Sequence, residues 1–341
     1  MNPKVKIDGM WPPCRNNIGT KEFINDLKEN DYDAVIIQSC PEFELVYDGN
    51  FIEEWTKITE EKNINTYIIF GSVGKTLNFN EVTYPPSAKL LYFPFFFGYL
   101  SGNRTYDKNE LLKLPDFEKI DPDTHFISLV NKSHPHRCEM MDKLKLYNIL
   151  KDTKYTWHQL NDYYTFKYWD QKICKFDDGY HERLDGFFPC YNEIYSTSFH
   201  IINETTPNGH FFTEKTFQPI SWGKPFVVMG SPGDNLYLKK VFGFELWDEL
   251  FDYDRMAEYD SYDILYEYIT QTLDSIRNRY TPKELWNECK EKALYNKKRY
   301  AEIIEKGLFI PKEIVSLRDE YGLSNEDLGF ADYINLAKHL N

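Results

Sequence analysis

Four short runs of the sequence, Asp33–Gln38 (DAVIIQ), Thr66–Phe70, Phe199–Ile202 and Phe226–Met229, are apolar at nearly every position rather than at every second one. A strand with one wet face alternates apolar and polar side chains, so a run without alternation belongs to a strand covered on both faces. Helical patterns lie between these runs. Lys21–Lys28 puts Phe23, Ile24 and Leu27 on one face, and Phe51–Lys62 does the same with Ile52, Trp55 and Ile58. Strands covered on both faces and joined through helices make parallel sheets, so the chain reads as an α/β protein built from β-α-β units.

The alternation occurs twice. A first series starts with a strand at Lys4–Ile7 and closes with one at Lys89–Phe93; a polar segment at Leu114–Pro122 with two prolines follows. A second series restarts at His125–Val130 and continues with a helix over His136–Leu146, in which Met140, Met141, Leu144 and Lys145 repeat at helical spacing. Asp152–Gly179 fits neither period and reads as an insertion. Beyond Gly230 come a helix over Leu236–Phe242 that stops near Gly243, long helices over Asp260–Ile276 and Lys283–Lys306, and a tail with short helices. The expected division is therefore residues 1–118, residues 119–306 and a helical tail over 307–341.

Composition narrows the partners. Forty basic against 54 acidic residues give a net charge of −14, which weighs against nucleic acid and anionic membranes and leaves room only for a local basic cleft. The six cysteines form no C-x-x-C pair, so neither a zinc site nor a disulfide framework is signalled, and reduced thiols suit a cytoplasm. Met1–Arg15 has no apolar core of a signal peptide, and Lys89–Leu100 is too short to span a bilayer, so a soluble protein is expected.

Two strand-to-helix turns carry the candidate chemistry. Asn131–Arg137 (NKSHPHR) gathers Lys132, His134, His136 and Arg137 where a strand hands over to a helix, a poor place for cations unless an anion answers them. The second turn leads into Thr213-Glu214-Lys215 at another helix start. A carboxylate suits the two hydroxyls of a ribose and an ammonium suits a diphosphate, so Glu214 and Lys215 together match both parts of a nucleotide. Phe211 offers a ring for a base. Pro219 leaves the first helical turns irregular or delays the helix, and either form keeps the doublet at the helix mouth. A solvated basic turn and an exposed ion pair are the alternatives to these readings.

Taken together, Phe199–Gly230 with Glu204 and the Thr213-Glu214-Lys215 triplet resembles the donor-binding signature of the α1,3-fucosyltransferase family. Asn131–Arg137 followed by Leu144 is similar to that family's other donor segment, and Tyr92-Phe93-Pro94 followed by Phe95–Leu100 looks like the end of its first domain. The likeness is good over Phe126–Lys145 and Phe199–Gly230, weaker elsewhere, and nearest in character to fucosyltransferase-like proteins of phages and large viruses. It implies a GT-B enzyme: two Rossmann-like domains with a cleft between them, the second taking a nucleoside diphosphate sugar, a GDP-sugar such as GDP-fucose first, and the first holding a glycan or other hydroxyl acceptor. Inversion and metal independence follow from the same likeness, since fixed cations and a helix N-terminus can stabilise the departing diphosphate. It also implies a bacterial or virus-infected cytoplasm. Arg137 and Lys215 fall to the diphosphate, Glu214 to the ribose and Phe211 to the place of the family tyrosine near the base, with Glu204, Lys132 and Thr213 also among the donor-binding residues.

Two departures stand out. Thr205 occupies the place of the family's asparagine, and the loop Gly71-Ser72-Val73-Gly74, where the family supplies a glutamate as base, contains no carboxylate. An inverting transfer needs a base for the acceptor hydroxyl; Glu42 is the first candidate, with Glu44, Glu81 and Asp8 behind it. Two other functions stay open on the sequence: a phage-type DNA-base glycosyltransferase, and a GT-B module that binds glycan or nucleotide without catalysis.

Overall fold

The computed structural model describes residues 3–9, 18–39, 49–70, 85–94, 97, 117–174, 191–207, 209–324 and 327–328. They fall into two compact units, Met1–Gly102 with Ile304–Asn341, and Asn103–Ile303. No helix among the described residues is long and apolar enough to cross a membrane.

In the first unit, β1 (Val5–Gly9), β2 (Ala34–Ser39), β3 (Asn65–Phe70) and β4 (Lys89–Tyr92) pair in parallel in the order in which the chain makes them. Right-handed crossovers that all step the same way put their helices on one face. Accordingly α1 (Ile18–Glu29) and α2 (Gly49–Glu61) pack together, the Phe23 and Trp55 rings meeting edge to face at 5.3 Å. Their apolar faces close on Val35, Ile37 and Ile68 of the sheet. The C-terminal stretch also joins this unit. From α10 (Lys312–Tyr321), Tyr321 accepts a hydrogen bond from Asn65 at 3.0 Å and meets the Tyr67 ring edge-on, while Phe309 stacks on Phe97 at 5.5 Å.

The second unit is wired differently. Its strands, β5 (Thr124–Ser128), β6 (Thr153–Tyr155), β7 (Thr197–Asn203) and β8 (Phe226–Met229), are all parallel but stand in the order β6-β5-β7-β8. The chain steps outward from β5 to β6, then returns past β5 to build β7 and β8. With right-handed crossovers, that reversal sends the connecting helices to opposite faces. On one face α3 (Pro135–Leu146) meets α8 (Tyr262–Arg279), Lys143 pairing with Asp263 at 2.9 Å and Glu267 at 3.1 Å. On the other, Ile194 of α4 (Tyr191–Tyr195) and Trp222 of α5 (Glu214–Trp222) pack on Ile127. β7 is buried along its whole length, its polar Thr197, Ser198, His200 and Asn203 included.

Two details depart from the sequence reading. Asp152–Gly179 contains β6, a three-residue strand that no apolar run announces because it lies at the sheet edge and carries Lys154 at its centre. Lys145 is exposed, so the buried stripe of α3 is Met140, Met141 and Leu144, continued by Arg137 and Cys138. The remaining helices are a turn α6 (Asp234–Tyr237) that runs into a π-helical turn at Leu238–Phe242, then α7 (Tyr253–Ala257) and α9 (Pro282–Glu305). Gly243 ends the π turn in the left-handed conformation expected of a helix stop, with φ at 74°.

Candidate functional site

In an open parallel sheet, the loops leaving two neighbouring strands diverge to opposite faces only where the strand order reverses, and this opens a crevice at the strands' carboxyl ends. The second unit has that reversal between β5 and β7; the described strands of the first unit have none. The crevice is bordered by Val130–Arg137, after β5, and Glu204–Lys215, after β7. These are the two turns that the sequence marks as candidates.

The β5–α3 turn is fastened at both ends. Thr156, just past β6, accepts from Val130 N at 2.8 Å and donates to its carbonyl at 3.1 Å. Pro135 opens α3 at a position whose N–H has no helical partner. Arg137 turns inward and is 2% exposed. Its Nε donates to the Asn203 side chain at 3.2 Å, its Nε and Nη2 to the Glu204 carbonyl at 3.1 and 3.0 Å, and its Nη1 to the Lys132 carbonyl at 3.1 Å. The guanidinium thus ties the turn to the end of β7 across the reversal point. His136 reinforces the tie by donating from Nε2 to the same Glu204 carbonyl at 3.0 Å.

Glu204 organises the second turn. Its buried carboxylate accepts from Thr213 N at 2.9 Å, Thr213 Oγ1 at 2.6 Å, Thr205 N at 3.2 Å and the Thr216 hydroxyl. A carboxylate with four donors folds the loop back onto the start of α5, where negative charge suits the helix dipole. Thr213 is the helix cap, its hydroxyl accepting from Lys215 N. Glu214 and Lys215 are therefore the first two residues of α5, with Pro219 accommodated inside it. Their side chains pair at 2.5 Å, and the Lys215 ammonium also reaches Thr205 Oγ1 at 3.3 Å and Thr213 Oγ1 at 3.4 Å. Both remain partly solvent-accessible, at 24% for Lys215 and 14% for Glu214. Phe211 and Phe212, between the two anchor points, are buried.

The two turns share one electrostatic field. The His134 imidazole is pushed down to about 4, first by burial and then by the charges of Arg137, Lys132 and Lys215. His136, stacked parallel to it at 5.9 Å, is driven to about 3, again mainly by burial. Both rings are neutral at physiological pH. The positive charge of the crevice therefore comes from exposed Lys132, buried Arg137 and half-exposed Lys215, with Glu214 as the nearest partner of the last. A helix start, an ammonium and a carboxylate at one mouth can take an anion together with a vicinal diol.

Several residues that build this site are absent from the sequence candidates: Thr156, Asn203 and Thr216. Asn203 ends β7 and directly precedes Glu204, so a polar pair closing the Phe199–Ile202 run is the signal that points to it. Glu42, Glu44, Glu81 and Gly71–Gly74 lie outside the described residues, and of Asp8 only the backbone, in β1, is described.

No family model matches the chain, and no curated protein matches it. Among solved structures the chain is similar to an α1,3-fucosyltransferase crystal structure, at 15% identity over 87% of this chain and 89% of that one, with a TM-score of 0.35. A likeness at that level transfers no residue role.

Proposed function

We propose that the crevice binds the diphosphate of a nucleoside diphosphate sugar and that the protein is a fucosyltransferase-like glycosyltransferase of the GT-B type. The observation that carries this reading is the convergence of Lys132, Arg137 and Lys215, from two separate strand-to-helix turns, at the reversal point of a parallel sheet. The resemblance of Phe126–Lys145 and Phe199–Gly230 to a donor-binding signature, carried by the same residues, agrees with it.

In this reading Lys215 and Lys132 face the diphosphate, Arg137 supplies fixed charge beneath the turn, and Glu214 exchanges its ion pair for the ribose hydroxyls. Glu204, Thr213 and Phe211 shape the loop. The GT-B division of labour, donor on Asn103–Ile303 and acceptor on Met1–Gly102 with Glu42 as base, belongs to the proposal. The acceptor oxygen attacks the anomeric carbon, the bond from that carbon to the phosphate oxygen breaks with its electrons leaving on the diphosphate, and the acceptor proton passes to the base. Configuration inverts. The cations stabilise charge that grows on the diphosphate during cleavage, where preorganised groups contribute most.

Release of nucleoside diphosphate from GDP-fucose, and from other GDP-, UDP- and dTDP-sugars, tests the reading, with and without EDTA and with a glycan mixture as acceptor. Sugar-dependent release that persists in EDTA and falls with Lys215→Ala is expected. No release and no binding with any of these donors would refute it.

A further inference from the structure

A second constellation stands at the end of the same β7–α5 loop. His210 Nδ1 lies 2.7 Å from Oδ1 of Asp234, which is wholly buried, while the His210 side chain is 25% exposed. The other Asp234 oxygen accepts from Ser231 N at 2.7 Å. The Ser231 hydroxyl in turn donates to the carbonyls of Pro207 and Gly209, tying this loop to the turn after β8. The His210 ring stacks on Tyr237 at 4.8 Å.

Two glycines make room for the pair. A Cβ on Gly230 would stand 2.2 Å from the Asp234 carboxylate, and one on Gly233 would stand 3.2 Å from the His210 ring in a backbone with φ at 87°. Nε2 of His210 is engaged by nothing among the described residues. His210 precedes the helix cap Thr213 by three residues, a reach of at most roughly 10 Å. The Glu204 carboxylate that binds Thr213 also acts on Asp234 by its charge, so the pair adjoins the α5 mouth.

We propose that His210 and Asp234 are a proton-controlled recognition element of this crevice, in which Nε2 of His210 donates a hydrogen bond to a phosphate oxygen while the pair holds two protons. This rests on the diphosphate reading of the site. The proton count decides the chemistry wherever the inner proton sits. With two protons on the pair, Nε2 must carry one, whether the pair is imidazolium with carboxylate or neutral imidazole with carboxylic acid. With one, the proton lies between Nδ1 and the carboxylate, and Nε2 presents a lone pair that repels a phosphate. Burial pushes the Asp234 carboxyl up to about 7, the His210 bond and the Ser231 N–H working against it and the Glu204 charge adding to it. Among the described residues, Tyr237 and Tyr266, from α6 and α8, also stand at the pair, and burial, with the Asp234 charge adding to it, holds the Tyr266 hydroxyl well above its ordinary range. Raising the Asp234 carboxyl favours the doubly protonated pair, whose second proton is lost as pH rises.

The test is titration with GDP and with inorganic pyrophosphate from pH 5.5 to 8.5, on wild type, His210→Gln and Asp234→Asn, with melting curves to confirm folding. Wild type should lose about tenfold in affinity for both probes as pH rises through 7, the factor of one charge-assisted hydrogen bond. Ionisation of GDP's own phosphate, near about pH 6, works in the opposite direction and is common to all three proteins. His210→Gln should lack the pH-dependent gain, and Asp234→Asn, which removes the buried carboxylate that favours the second proton, should move the step to lower pH. An unchanged pH profile in folded His210→Gln overturns the proposal, as does a step seen with GDP and not with pyrophosphate, which assigns His210 to the base or ribose. Absence of binding at every pH by wild type overturns the diphosphate reading itself.

Discussion

Replacing Lys215 with alanine is expected to weaken GDP binding by roughly 10- to 150-fold, the equivalent of about 1.5–3 kcal/mol for a hydrogen bond between charged groups. Lys215 is the second residue of α5, where an ammonium opposes the helix dipole, and its pairing with Glu214 offsets that cost. The position gives little to folding and much to an anion. Stability should therefore change by well under about 1 kcal/mol, since the carboxylate left behind is favoured at a helix start. Lys312→Ala, on the exposed start of α10, is the matched control and should leave binding unaltered. Titration calorimetry at two salt concentrations reads both effects, and equal affinities for Lys215→Ala and wild type would remove Lys215 from the site.

Arg137→Ala should behave in the opposite way, lowering stability by about 3 kcal/mol because the carbonyls of Lys132 and Glu204 and the Asn203 amide oxygen lose a buried donor. For a unit near 200 residues that corresponds to a fall in melting temperature of roughly 6–12 °C. Arg137→Lys retains the charge but not the fork that reaches three acceptors at once, so it should recover only a minor part of the loss. Thermal melting followed by circular dichroism measures this. An alanine variant as stable as wild type would mean that the tie across the reversal point does not hold the turn. Binding should weaken in step with the disorder of the turn, unlike Lys215→Ala, where binding is lost from an intact fold.

How far the sequence makes this legible depends on how local each signal is. The buried strands announce themselves because a strand covered on both faces is apolar on both, without alternation, over its central run, and β2, β3, β7 and β8 stand where those runs lie. The α5 mouth is equally local: Thr213 caps and Glu214 follows, a pattern set by the first turn of a helix. β6 is silent because three residues at a sheet edge need no apolar run, yet β6 is the strand that creates the reversal. The burial of Arg137 is silent for another reason. Its acceptors at Asn203 and Glu204 lie more than sixty positions away, so an arginine read from its own neighbourhood looks free to face a ligand. The His210–Asp234 pair escapes in the same way, since its partners meet only through the pairing of β7 with β8.

We propose that a nucleoside diphosphate is held at the strand-order reversal of the second sheet. Hydrogen–deuterium exchange with and without saturating GDP, in the presence of EDTA, tests it most directly. Protection confined to the amides of residues 131–138 and 204–216, with little change in β1 to β4, is the expected result. Protection elsewhere with these two segments unaffected would contradict it.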